Sequence, residues 1–176
     1  MITMPEIWDI YNEKREKTGE TILRGGERKL AEGEFHLVVH VWIQNSEGKF
    51  LISQRSASRP TFPLQWECVG GSVTAGEDSL MGALRETEEE VGVTLSPDEG
   101  SVIFTKIRRV IGGKPFRDIL DVWLFHYDGD ADLTKATTPD EVSDVRWMST
   151  KEIKALFDEG KFVKNLAYFF SDIASE

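Results

Sequence analysis

The amino-acid sequence predicts an α/β fold, a mixed sheet covered by helices. Strand-like runs dominate the middle of the chain, one helix-period segment is inserted among them, and helix-period segments close it. The 176 residues match the size of one domain. No Gly/Ser-rich or Pro-rich linker, internal repeat or low-complexity tract divides them. We therefore expect residues 1–176 to form one domain, with residues 1–33 as a β-rich N-terminal extension.

Taken in order, Glu6–Glu20 opens with Ile7, Trp8, Ile10 and Tyr11 and turns through the charged run Glu13–Gly19; Gly25-Gly26 ends a second short segment. His36–Gln44 is rich in β-branched residues and mostly apolar, as a central strand should be. Asn45–Gly48 reads as a hairpin turn and Lys49–Arg55 as its return strand. Ser56–Gln65 is a loop punctuated by Pro60 and Pro63, followed by the short apolar run Trp66–Gly70. Asp78–Val91 has helical spacing, with Leu80, Ala83, Leu84, Thr87 and Val91 on one side and Gly92 as its C-terminal cap. Val102–Ile111 and Asp118–Tyr127 flank Gly112-Gly113 as a second hairpin. Asp128–Ser143 is a polar loop and Asp144–Met148 a short strand. Ser149 and Glu152 form a capping-box pattern for a helix that Gly160 ends. Phe162–Ile173 reads as a final amphipathic helix, its stripe Phe162, Leu166, Phe169 and Phe170 docked on the sheet or on a second copy.

Composition narrows the function. Hydrophobic residues make up 40% of the chain, too many for a disordered segment. The net charge of −10 lacks the basic footprint of a nucleic-acid binder and disfavours anionic membranes. A bilayer needs about 20 apolar residues, and the longest strongly apolar stretch, Leu37–Ile43, has seven. Met1–Ile10 has acids and no basic start, so no secretory leader is expected. The single cysteine, Cys68, cannot form an internal disulfide and reads as a small buried hydrophobe. A cytoplasmic protein is expected.

The chemistry concentrates in Gly71–Val93, GSVTAGEDSLMGALRETEEEVGV. Glu86, Glu89 and Glu90 stand at i, i+3 and i+4, so their side chains meet on one helix face. Like charges at this spacing repel, and more so as they are desolvated. A bridging cation reverses the sign. Hard divalent ions prefer oxygen, and Mg²⁺ takes one or two carboxylates together with waters and substrate phosphates. Arg85 is placed to fix a carboxylate by bidentate hydrogen bonds. Glu77 lies just before the helix, where its positive end favours a carboxylate. Gly70, Gly71 and Gly76 let backbone carbonyls approach the same ion. Taken alone, the acidic run also fits a solvated charged face.

The run does not stand alone. Gly71, Glu77, Arg85-Glu86, Glu89-Glu90, Gly92 and Val93, at these intervals, resemble the Nudix box, with Thr87 where the family usually has an aliphatic residue. The resemblance implies a Nudix α/β/α sandwich with a mixed central sheet. It also implies a hydrolase that cleaves a diphosphate joined to another group X with Mg²⁺, or Mn²⁺ in its place. Glu86, Glu89 and Glu90 would hold the metal, with the Gly70 or Gly71 carbonyl and Glu77 assisting and Arg85 orienting. Glu141, in the late loop TTPDEVSD, is the candidate base. The substrate class is a nucleoside diphosphate or its derivative, and a homodimer is the family habit.

FHLVVHVWIQN, Gly48–Arg55, the proline loop and PDEVSDVRWMS resemble the isopentenyl-diphosphate isomerase-like branch. That likeness makes Arg55 and Arg59 candidates to face the diphosphate, with Lys106, Arg108 and Arg109 as alternatives. Isomerases carry a Cys and a His around the first box glycine; here Gly70 and Ser72 stand there. Isomerase activity and a non-cleaving nucleotide sensor are the rival readings. His36 and His40 share one strand face and read as hydrogen-bonded core or sheet histidines rather than ligands, and His126 also reads as structural. Trp42, Trp66, Trp123 and Trp147 read as core residues, any of which can instead stack on a base.

Overall fold

Alternation along His36–Gln44 decides the architecture. Leu37, Val39, Val41 and Ile43 enter one apolar cluster, while Trp42, with Val38 beside it, enters another. A strand that meets core on both faces lies between two layers.

The computed structural model describes residues 4–174; Met1–Thr3, the start of the segment read above for a leader, lie outside the described residues. The elements are β1 (Ile7–Tyr11), β2 (Lys17–Leu23), β3 (His36–Gln44), β4 (Phe50–Arg55), β5 (Trp66–Glu67), β6 (Val69–Ser72), α1 (Ser79–Val91), β7 (Gly100–Ile111), β8 (Lys114–His126), β9 (Val142–Met148) and α2 (Thr150–Asp158). The main sheet runs β5-β4-β3-β8-β7, with β6 also paired to β3 and β9 to β4. β3 and β8 are parallel from His36 opposite Asp118 to Gln44 opposite His126, and the other pairings in this sheet are antiparallel. The sheet is mixed, as expected.

α1 covers one face through Ala83 and Val91. The other face carries Ile153 of α2 with Phe162, Leu166, Phe169 and Ile173. The result is an α/β/α sandwich. Thr87 packs fully buried, its hydroxyl donating to the Ala83 carbonyl at 2.8 Å, so the polar atom is satisfied inside the helix.

Two expectations are corrected. Trp66–Gly70 is not one run: β5 pairs with β4, and β6 pairs with β3. Phe162–Ile173 is not an α-helix. Phe162 forms a bridge to Trp66, and the rest is a 3₁₀ turn at Lys164–Leu166 and a π turn at Phe169–Ile173. The apolar stripe is buried all the same. Stacking of Trp42 on Phe169 at 4.6 Å, with Phe50 edge-on to Phe169 at 5.0 Å, sets the path of the chain in place of regular helical hydrogen bonding.

The N-terminal extension contains a two-stranded sheet, β1 against β2, fastened to the rest by backbone hydrogen bonds and by ion pairs. Tyr11 and Phe35 exchange backbone hydrogen bonds at 2.8 and 2.9 Å. The Ala75 N–H donates to the Ile7 carbonyl at 2.8 Å. Arg15 reaches Asp121 on β8 with two N–H groups, one at 2.6 Å, while Thr105 donates to the same carboxylate at 2.7 Å. Asp121 is 1% exposed, so its charge depends on these partners. Removing one member of a buried pair typically costs 3–5 kcal/mol, and less here because the Arg15 side chain is 40% exposed. Arg15→Ala is expected to lower unfolding stability by about 2 kcal/mol, read as an earlier urea midpoint with unchanged slope.

Candidate active site

α1 starts where Asp78 caps it, accepting from the Met81 N–H at 2.8 Å, and ends at Gly92 in the left-handed conformation. Gly92 is required twice over. Its φ of 67° favours glycine, and a Cβ there would overlap the Asp132 carbonyl. This close approach lets the loop after β8 fold back on the helix end. There the Thr137 and Thr138 N–H groups donate to the Glu89 carbonyl at 2.9 and 3.2 Å, and the loop continues to Glu141.

Arg85 is the hub. Its Nε donates to Glu77 at 2.8 Å and Nη2 to the other Glu77 oxygen at 2.9 Å. Nη2 also donates to the Ser72 carbonyl at 3.0 Å, and Nη1 to Glu86 at 3.0 Å and Glu89 at 3.1 Å. Every guanidinium N–H is used. Burial opposes the Arg85 charge, but the Glu77 hydrogen bonds and the Glu86 charge outweigh it and hold its pKa above the usual value. Glu77 in turn also accepts from the Thr74 N–H and hydroxyl at 2.9 and 2.6 Å. Burial works against its ionisation, yet Arg85 and Thr74 hold its pKa below the ordinary value. Both Glu77 oxygens accept hydrogen bonds, and Glu77 stands apart from the cavity lining. In this structure it anchors Arg85.

Glu86 and Glu90 are buried, at 8% and 5% exposure. Burial pushes the Glu86 carboxyl up to about 7 against the pull of Arg85. Burial, then the Glu86 and Glu67 charges, raises Glu90 well above its usual range. One Glu90 oxygen has no hydrogen-bond partner. A Cβ on Gly71 would overlap the Glu86 carboxyl, so the Nudix-box glycine is what lets β6 pass against that carboxylate. Among the described residues no three acidic, His or Cys side chains already converge on one point; Arg85 Nη1 stands between Glu86 and Glu89 instead. The donor set nevertheless fits a hard divalent cation: oxygen only, two desolvated carboxylates, and one buried oxygen lacking a partner.

These residues floor a cavity of about 1110 Å³. Gly70, Gly71, Arg85, Glu86, Glu89 and Glu90 line it, together with Arg59 and Glu141, which pair at 3.3 Å. Arg55 does not line it. Arg55 is held by Glu67 at 3.0 Å and by the Thr61 carbonyl at 2.9 Å, so its expected diphosphate contact is replaced by a structural pair. Lys106 and Arg109 are likewise off the lining. Cys68 is buried in the cluster with Trp42, as expected.

The Nudix domain signature matches residues 34–169. An uncharacterized Nudix hydrolase of Listeria innocua is 37% identical over 167 residues, spanning 94% of this chain and 90% of that one. The chain belongs to the Nudix family. A Listeria monocytogenes Nudix hydrolase is similar at 36% identity over the same shares. The crystal structure of DR0079 from Deinococcus radiodurans superposes with a TM-score of 0.71 at 25% identity, covering 96% of this chain and all of that one. With the box intact, the chain is a Nudix pyrophosphohydrolase, a class that generally works with divalent metal ions.

Sequence reasoning left part of this Nudix cavity unread. Trp8 and Arg24 from the N-terminal hairpin line it, as do His36, Phe116 and Asp118; Arg108, named above as an alternative, lines it too. The parallel pairing of His36 with Asp118 was the signal available, once β3 and β8 are known to be neighbours. His36 stacks on Trp8 at 3.8 Å, and burial, with Arg108 and Arg24 nearby, lowers its pKa to about 4. It is neutral at pH 7, but its Nδ1 has no partner, unlike the hydrogen-bonded histidine expected. His40 does meet that expectation, bonding Tyr168 at 2.7 Å.

The raised Glu86 pKa links stability to pH. In the unfolded chain this carboxyl ionises near 4.5, and in the folded chain near 7. Below 4.5 both forms are protonated and nothing is lost; between the two values the cost of ionising Glu86 builds, and it is complete above 7. Metal-free protein is expected to lose thermal stability as pH rises through that window. A divalent ion held by Glu86 would need the ionised form, so any upward shift in melting temperature that Mg²⁺ gives should be larger at pH 8 than at pH 5. An equal shift at both, in a fluorescence melt, would contradict this account.

Proposed function

We propose that this enzyme cleaves the diphosphate linkage of a nucleoside diphosphate or nucleoside diphosphate derivative with Mg²⁺, Mn²⁺ substituting. The observation that carries the reading is the buried Glu86–Glu90 pair, with its unpartnered oxygen, beside Glu89 in a cavity large enough for an organic group as well as a diphosphate. Glu86, Glu89 and Glu90 would hold the ion, with the Gly70 or Gly71 carbonyl. When bound, it neutralises the diphosphate and lowers the pKa of a water. Arg85 orients Glu86 and Glu89 and is itself fixed by Glu77. Arg59 binds a phosphate oxygen; doing so draws it from Glu141, whose freed carboxylate accepts the proton of the attacking water. Attack on phosphorus breaks the bridging P–O bond, and the chain's own groups supply position and charge.

The isomerase reading has less support. Gly70 and Ser72 stand where that chemistry needs Cys and His, and burial, first of all, pushes the Cys68 thiol well above its usual pKa. No helix among the described residues is long and apolar enough to cross a membrane, which accords with a cytoplasmic enzyme acting on a small molecule.

With Mg²⁺ and a panel of nucleoside diphosphates and their derivatives, Glu89→Gln and Glu90→Gln are each expected to lower kcat by about 10²–10³, as loss of a metal-held nucleophile implies. Wild-type rates of phosphate or monophosphate release in either variant would refute the ligand assignment.

A further inference from the structure

The cavity takes in more than the carboxylates, and part of its wall comes from outside the family signature. The signature begins at residue 34, yet Glu6, Ile7, Trp8 and Arg24 line the cavity. Phe116, just after the β7–β8 turn, lines it as well.

The aromatic rings of this wall are not equivalent. Trp8 is packed face to face on His36 at 3.8 Å, and the Arg24 guanidinium lies over it at 5.8 Å. That stack is a fixed panel with little ring surface to offer. Phe116 is different. The Arg108 guanidinium lies over its ring at 5.3 Å and is itself held by Asp118 through two hydrogen bonds at 2.7 and 2.5 Å. Asp118 is fully buried and sits opposite His36 across β3 and β8, so the backing is tied into the central sheet. Phe116 is nevertheless 37% exposed, and it is the one Phe or Trp among the described residues that is exposed rather than buried or half-buried. A large ring that is braced from one side and exposed in the lining of a cavity presents a flat apolar face to the site.

We propose that this part of the cavity is the subsite that reads the organic part of the substrate, with a nucleobase stacked on Phe116 and the Trp8–His36 panel limiting its width. The proposal rests on the nucleoside diphosphate reading above and adds which residues meet the base. Stacking suits the chemistry. Every base has a π face, and each base–aromatic stack contributes about 1–3 kcal/mol. Phe116 is a positioning and selectivity residue and touches no reacting atom.

The test uses the full chain with Mg²⁺ and compares nucleoside monophosphates with ribose 5-phosphate, which has the same phosphate and sugar but no base. Calorimetric titration should give a tighter Kd for the nucleotides in the wild type. Phe116→Leu, which keeps an apolar side chain but no π face, should weaken nucleotide binding by about tenfold, at the lower part of the stacking range. It should leave ribose 5-phosphate unchanged. Phe116→Tyr should keep the wild-type ratio. Equal affinity for the two ligands in the wild type, or an unchanged ratio in Phe116→Leu, would overturn the proposal. The two readings fail separately. Base-dependent binding without hydrolysis of any diphosphate would sink the enzymatic reading and leave the subsite standing. Hydrolysis without base-dependent binding would do the reverse.

Discussion

A buried carboxylate must be paired, neutralised or bound to a cation, and the site is built around that constraint. Arg85 meets it in part. Its guanidinium is held by Glu77 and Ser72 on one side and reaches Glu86 and Glu89 on the other. The remaining deficit falls on Glu90, which has an unpartnered oxygen and the buried charges of Glu86 and Glu67 for neighbours. A structure seeking only stability would replace such a group with an apolar residue. Retaining it makes sense where a cation completes it, and the same ion is what a diphosphate needs.

Much of this was legible in the chain because it is local. The i, i+3, i+4 spacing of the three glutamates, the Gly92 cap and the Ser149–Glu152 box depend on residues a few positions apart, and the structure reproduces them. The central strand was legible because both of its faces are apolar. What was not legible depends on distant pairings. Arg55 looked free for a phosphate until the pairing of β4 with β5 placed Glu67 beside it. Nothing in the spacing of Glu77 shows that Thr74 and Arg85 bond to its two oxygens, which ties it to the arginine hub. The terminal stripe was identified correctly as buried and wrongly as an α-helix. Apolar spacing reports which side faces the core, whereas ring packing around Trp42 decides the backbone path.

The N-terminal hairpin illustrates how a part outside a family signature can still belong to the site. Its own two strands would be marginal in isolation. The Arg15–Asp121 pair and the bridge from Tyr11 to Phe35 fix it to β8 and to the chain entering β3. Those are the strands that bring His36 and Asp118 to the cavity wall. Trp8 therefore reaches His36 through a rigid connection rather than from a loose arm. Variation in the hairpin can alter that part of the cavity wall while the box on α1 stays as it is, which separates recognition from chemistry within one small fold.

Charge closes the account. The cavity lining carries six acids, Glu6, Glu86, Glu89, Glu90, Asp118 and Glu141, against four arginines, Arg24, Arg59, Arg85 and Arg108. Two of those arginines are spent on Glu6 and Asp118, and Arg59 is paired with Glu141. With every carboxylate ionised, an incoming diphosphate meets a wall of its own sign on a protein whose net charge is already −10. One divalent cation at the proposed Glu86, Glu89 and Glu90 site would cancel the excess. Substrate affinity and carboxylate ionisation would then be coupled through the same ion. Without it Glu86 and Glu90 lower their cost by holding protons; with it they would give those protons up and the cavity would accept an anion.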